Sequence, residues 1–413
     1  MNSLPGSLLS LLSQGLVSSV SLISSLVLLH FGRPGEYGNY VLFLSVYMLL
    51  FSLTNAVLLH PMATLSCRMQ AQRVRHTMNI GRIGMIVPGL LGGGGLGGYW
   101  WLSARHAALP VAWGWLAVVF FLMLCRDIRR AAWLLDSDLI NLLKMDFGYC
   151  VMAMLLLGTA ILRGHVGLFE VLIAISLPAL PGLLHRFHPM AREYNAAPSI
   201  ANEPGWLEIW HCARWALPGV LVGWLFTSGY WFFLDSTQGK FAVTLLAATR
   251  LLYTPLGLAC SGWTSYFRPV MARLEHAGAH GEKDALIRRS YRMVLILVTG
   301  YIVVLCAVLG FWPRVLPGTV RPGLVLVATW GGYFLVQWIR MVRTTGLLSS
   351  PAGFRTSFNA GVVSCFAFYL LLLPISVYVY QPVICPLLLM LGEVMNFCLM
   401  KEKSPRYLGP FRA

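Results

Sequence analysis

Nearly uninterrupted apolar stretches of 17 to 24 residues recur about twelve times along this chain, and no other feature constrains its fold so tightly. They fall at roughly 7–30, 38–60, 80–102, 109–125, 145–162, 166–184, 216–234, 240–262, 293–311, 323–341, 358–378 and 381–400. A helix of about 20 residues crosses the ~30 Å hydrocarbon core of a bilayer with its own backbone satisfied. Only 11% of the 413 residues are charged and 57% are hydrophobic, with a mean hydropathy of +0.70. A soluble domain carries about 25% charged residues. The expected fold class is therefore an all-α polytopic membrane protein with about twelve transmembrane helices. The opening MNSLPGS has no basic region, and the window after it is long enough to span, so no cleaved signal peptide is expected.

The net charge of +16 would suit a nucleic-acid partner, but its distribution argues against one. Taking the N-terminus as cytosolic, the loops at 68–82, 126–144, 185–214, 265–292, 340–357 and 401–413 hold 24 Lys and Arg. The opposite side holds six: Arg33, Arg105, Arg163, Lys240, Arg314 and Arg321. Such a bias is the positive-inside rule, so both termini are expected in the cytosol, with the basic loops against anionic lipid. The longest polar interruption divides the chain into a six-helix bundle at 1–184, a cytosolic linker at 185–215, a second bundle at 216–400 and a tail at 401–413. In the linker, WLEIWHCARW reads as an interfacial amphipathic helix. VMARLEHAGAHGEKDALIRRSYR (270–292) reads as a charged surface helix between the eighth and ninth spans. Proline corners at HPMATL (60–65) and RPVMARL (268–274) close the first hairpin of each half, a faint internal repeat.

Within this apolar chain, LLAATRLLYTPLG (245–257) places a single arginine far from either membrane surface. Counted from Gly239, Arg250 lies about 16 Å deep, where insertion costs ~2.5–3.5 kcal/mol. Pro255 removes one donor and its ring strikes the carbonyl of Leu251, so a helix break is expected there. Tyr253 and Thr254 share the face of Arg250 and can donate hydrogen bonds beside it. Two roles fit: a guanidinium lining a cavity, where its fork suits a phosphate, or one bonding a neighbouring helix as structural glue. Of the acids, Glu393 is the deep one, with Asn396 one turn on, and is the candidate for coupling an ion. Asp146, Glu170 and Asp235 lie near span ends and are expected at the interface.

Other chemistries find little support. LGGGGLGGYW (91–100) lacks the Lys and Ser/Thr of a nucleotide loop and sits in a span, so close helix packing is expected. The nine cysteines are scattered with no metal spacing, and the ten histidines form no HExxH. No catalytic residue, metal or cofactor is expected, and the chain reads as a non-enzyme. The aromatic run Tyr230, Trp231, Phe232, Phe233 fits an interfacial belt, or else a platform for sugar rings.

Three patches carry a resemblance. FGRPGEYGNYVLFLSVYMLLFSLTNAVLLHPM (31–62) resembles the first hairpin of polysaccharide exporters in the multidrug/oligosaccharidyl-lipid/polysaccharide (MOP) superfamily, with its E-[FY]-G-x-Y turn. AATRLLYTPLGLACSGWTSYFRPVMARL (247–274) is similar to that family's eighth span, and CRDIRRAAWLLDSD (125–138) to its cytosolic loop between spans four and five. FGRPGE departs from the family's usual Leu-Gly opening. The resemblance implies a flippase of the bacterial inner membrane that moves a polyprenyl-pyrophosphate-linked oligosaccharide outward through a cavity between two bundles. Arg250 would meet the pyrophosphate. The implied partners are a lipid-linked sugar, membrane lipid and other polysaccharide-synthesis membrane proteins. Alternatives are an ion-coupled multidrug exporter of the same fold and a non-transporting scaffold subunit. A tight Arg250–Glu393 pair would favour the scaffold.

Overall fold

With no water to bond inside a bilayer, each apolar window closes its hydrogen bonds on itself as a helix. The computed structural model describes residues 6–33, 35–59, 80–81, 83–103, 110–135, 138–180, 210, 217–311, 323–347, 351–378, 381 and 383–400. Among them there is no strand. The helices in chain order are α1 (Gly6–Phe31), α2 (Glu36–Thr54), α3 (Ile86–Ser103), α4 (Pro110–Leu135), α5 (Leu139–Leu162), α6 (Leu168–Ser176), α7 (Tyr230–Leu251), α8 (Thr254–His276), α9 (His280–Phe311), α10 (Leu324–Leu347), α11 (Pro351–Tyr378) and α12 (Ile384–Leu399). α7 is broken inside at Gly239, whose φ of 79° and ψ of 175° suit only glycine, so residues 240–251 form a separate helical segment.

The chain forms two compact units, residues 1–244 and 245–413. In the first, α3 lies along α4 and α1 along α5. The glycine run explains the α3–α4 contact: a Cβ at Gly93 would fall 2.5 Å from the Ala117 nitrogen, and one at Gly89 3.0 Å from its carbonyl oxygen. Only bare backbone allows that approach. The EYGNY turn is a second packing knot. The Glu36 carboxylate accepts the Leu168 N–H at 3.0 Å, capping α6 from 132 residues away, while a Cβ at Gly38 would sit 3.0 Å from the Lys240 carbonyl. In the second unit α10 is the hub, packed by α8, α9, α11 and α12.

Several helices outrun their apolar windows. α4 continues to Leu135 through CRDIRRAAWLL, and α10 to Leu347 through Arg340, both segments expected as cytosolic loops. α9 starts at His280, and its 32 residues measure about 48 Å, so its polar first turns extend the ninth span. The expected surface helix at 270–292 is instead the end of α8, a turn through Gly278 (φ 69°) and the start of α9. Likewise 268–274, expected as a corner, continues α8. The cause is common to all: a helix stops where its backbone bonding stops, not where hydropathy falls, and charged turns stay helical when neighbours pair them. The corner at 60–65, nearly all of the 185–215 linker with its amphipathic helix, and the tail at 401–413 lie outside the described residues.

Candidate functional site

Arg250 occupies the last turn of α7. The helix tightens as it ends: Leu252 N–H bonds Thr249 O at 3.2 Å and Tyr253 N–H bonds Arg250 O at 3.0 Å, both three residues back. α8 resumes at Thr254 with Pro255 second, where a missing N–H costs nothing. The joint is fixed from outside. Tyr301 of α9 donates to the freed Leu252 carbonyl at 2.5 Å, and the Tyr253 hydroxyl donates to Val327 O of α10 at 2.5 Å. The Tyr253 ring is fully buried and stacks on Phe334 at 5.2 Å. Gly331 makes room, since a Cβ there would lie 3.1 Å from the Tyr253 hydroxyl and 2.8 Å from Ile302. Tyr253 therefore holds the joint, Thr254 is half-buried at the head of α8, and Pro255 is exposed. The Arg250 guanidinium lies 5.8 Å from the ring centre of Trp330, a buried α10 residue, within reach of a cation–π attraction.

Glu393 is fully buried on α12 and its ion pair is with Arg340 of α10. Arg340 also reaches the Thr344 hydroxyl at 3.5 Å. Hydropathy alone puts Arg340 in a cytosolic loop at 340–357. The signal that could have found it is a heptad-like stripe, Trp330, Tyr333, Gln337, Arg340 and Thr344, at steps of three and four on α10.

The first unit holds a buried polar network that hydropathy also misassigned. Arg126 and Asp127, 5% and 6% exposed, pair at 2.9 Å. The Tyr47 hydroxyl donates to Asp127, and Arg126 lies 4.3 Å over the Tyr149 ring. Asp146, expected at the interface, has no exposed surface; it accepts from Ser13 of α1 and from Arg130 Nε of α4 at 3.1 Å. Burial is possible because two other helices supply its counter-charge and a second donor. Asp235 is 9% exposed and accepts from Tyr99 at 2.8 Å, while Glu170 is half-buried in the first turn of α6. Tyr230 and Trp231, 0% and 3% exposed, are core residues, so neither serves a belt or a sugar platform in this structure.

No family model matches the chain, and no curated protein matches it in sequence. Solved structures match it in fold. An inward-facing multidrug resistance MATE family transporter of the MOP superfamily aligns with a TM-score of 0.68 at 12% identity, over 93% of each chain. The lipid II flippase MurJ, in its inward closed conformation, aligns at 0.65 and 10% identity, over 95% of this chain and 86% of its own. A MOP superfamily transporter from Pyrococcus furiosus, described as having a binding pocket of reverse polarity, aligns at 0.59 and 13% identity, over 95% and 93%. Drug transporters and a lipid flippase thus share one helical architecture with this multi-pass chain, which has the fold of the MOP-superfamily transporters.

Proposed function

We propose that this protein is a flippase that moves a polyprenyl-pyrophosphate-linked oligosaccharide, or a similar polysaccharide precursor, across a bacterial inner membrane by alternating access. The observation that carries this reading is the assignment of the buried acids. Of the four buried acids among the described residues, Asp127, Asp146 and Glu393 pair with Arg126, Arg130 and Arg340, and Asp235 is taken up by the Tyr99 hydroxyl. A cation exporter needs a buried carboxylate to offer its cargo. This chain instead sets Arg250 at a helix break, next to the N-terminal, positive end of α8.

In this scheme Arg250 takes a phosphate oxygen in its fork, and Thr254 donates at the head of α8. Tyr253 and Pro255 fix the angle at which both are presented. Glu393 is the ion-coupling residue, since neutralising it would release Arg340. The termini lie in the cytosol, as the charge bias implies. That Glu393 pairs with Arg340 weakens the scaffold reading.

The test is to extract the lipid-linked sugar from cells carrying Arg250→Ala or Arg250→Lys and to measure which leaflet holds it. Accumulation on the cytosolic side in both, at unchanged protein level, is the expected result. Continued export in both refutes the role of Arg250. Polymer loss with normal leaflet distribution identifies a scaffold instead.

A further inference from the structure

The polar stripe of α10 links two arginines. Arg250 lies over Trp330 at one end, Gln337 donates to the Tyr333 hydroxyl at 3.1 Å, and Arg340 follows. From Trp330 to Arg340 is ten residues of helix, about 15 Å.

Arg340 is only partly used where it stands. Nε pairs with Glu393 and Nη1 makes the long contact to Thr344, while Nη2 has no acceptor among the described residues. A carboxylate that engages a guanidinium fully takes two of its donors side by side. Here the fork stays open. Glu393 is half-used in turn: its Oε1 is buried without a hydrogen-bond partner among the described residues, as is Oδ1 of Asn396 one turn along α12. Two unsatisfied buried oxygens beside this pair are costly in a low-dielectric interior and call for an explanation. The two side chains also differ in access, Arg340 being 15% exposed and Glu393 wholly enclosed.

We infer that Arg340 is a second anion-binding residue, kept in place by Glu393, and that the substrate's pyrophosphate exchanges with Glu393 for its guanidinium. The inference rests on the flippase reading. Phosphate oxygens complete the fork that Glu393 leaves open. A pyrophosphate is much shorter than about 15 Å, so the two arginines serve it in succession. Under the expected topology Arg340, nearer the C-terminal end of α10, is the station on the cytosolic side.

The experiment uses the purified full chain in lipid nanodiscs, with farnesyl pyrophosphate as probe and farnesol as the control for the lipid tail. Binding is read for the parent, Arg250→Gln, Glu393→Gln and the neutral pair Arg340→Gln/Glu393→Gln. Arg340→Gln alone is not informative, because it strands a buried carboxylate. Binding should tighten in Glu393→Gln, and the neutral pair should bind about tenfold or more weakly than Glu393→Gln, the effect of losing a charge-assisted bond. Equal binding by those two variants overturns the inference and leaves Arg340 as a structural partner. If the neutral pair fails to fold, Arg340→Lys, which keeps the charge but loses the fork, gives the same reading: weaker binding supports the inference and unchanged binding overturns it. If the parent binds the pyrophosphate no better than farnesol and Arg250→Gln changes nothing, the flippase reading itself fails.

Discussion

Replacing Asp146 by alanine tests the buried network of the first unit. The carboxylate is fully enclosed on α5 and joins three helices, accepting from Ser13 of α1 and from Arg130 of α4 at 3.1 Å. Its loss strands the Arg130 guanidinium, whose side chain is 15% exposed. Removing one partner of a buried ion pair costs about 3–5 kcal/mol. Arg130 keeps contacts to Ser13 at 3.2 Å and Gln14 at 3.4 Å, and polar groups in a bilayer find substitute partners. The low end, about 3 kcal/mol, is therefore expected. For a unit of 244 residues that corresponds to a fall in Tm of roughly 6–12 °C. Thermal unfolding in detergent, followed by size-exclusion recovery, measures it. Arg130→Gln/Asp146→Asn, which removes both charges at nearly constant volume, should recover most of the loss. A Tm for Asp146→Ala within about 1–2 °C of the parent would refute the argument, because the carboxylate would then be solvated at the interface.

Two further outcomes follow from the packing. Gly93→Val drives a side chain into the Ala117 backbone and should lower stability by about 1–3 kcal/mol, whereas Gly95→Ala, with nothing within 4 Å, should be neutral or slightly stabilising; paired melting curves decide. Tyr253→Phe removes the added hydrogen bond to the Val327 carbonyl, costing about 1 kcal/mol, and by loosening the joint that aims Arg250 it should also slow transfer in the leaflet assay. An unchanged transfer rate would show that the stiffness of that joint is not needed.

Hydropathy sufficed for the fold class, because a chain in hydrocarbon must satisfy its backbone locally, and each window reports that locally. The glycine run was legible too, since small residues in a span point to close packing. Arg340, Asp127 and Asp146 were not. A window ends where charges begin, yet α4 and α10 continue, because Arg130 and Arg340 on them are met by Asp146 and Glu393 of other helices. Glu393 is 53 residues from Arg340, and Ser13 is 133 from Asp146. Whether a charged residue is solvated or enclosed depends on the energy of its pairing, and for Asp146 and Glu393 that pairing is between helices. The sequence by itself determined that this chain is an all-helical, multi-pass membrane protein. Only tertiary structure decided that Asp146 and Glu393 are buried, because the arginine that makes burial affordable is brought up by a different helix.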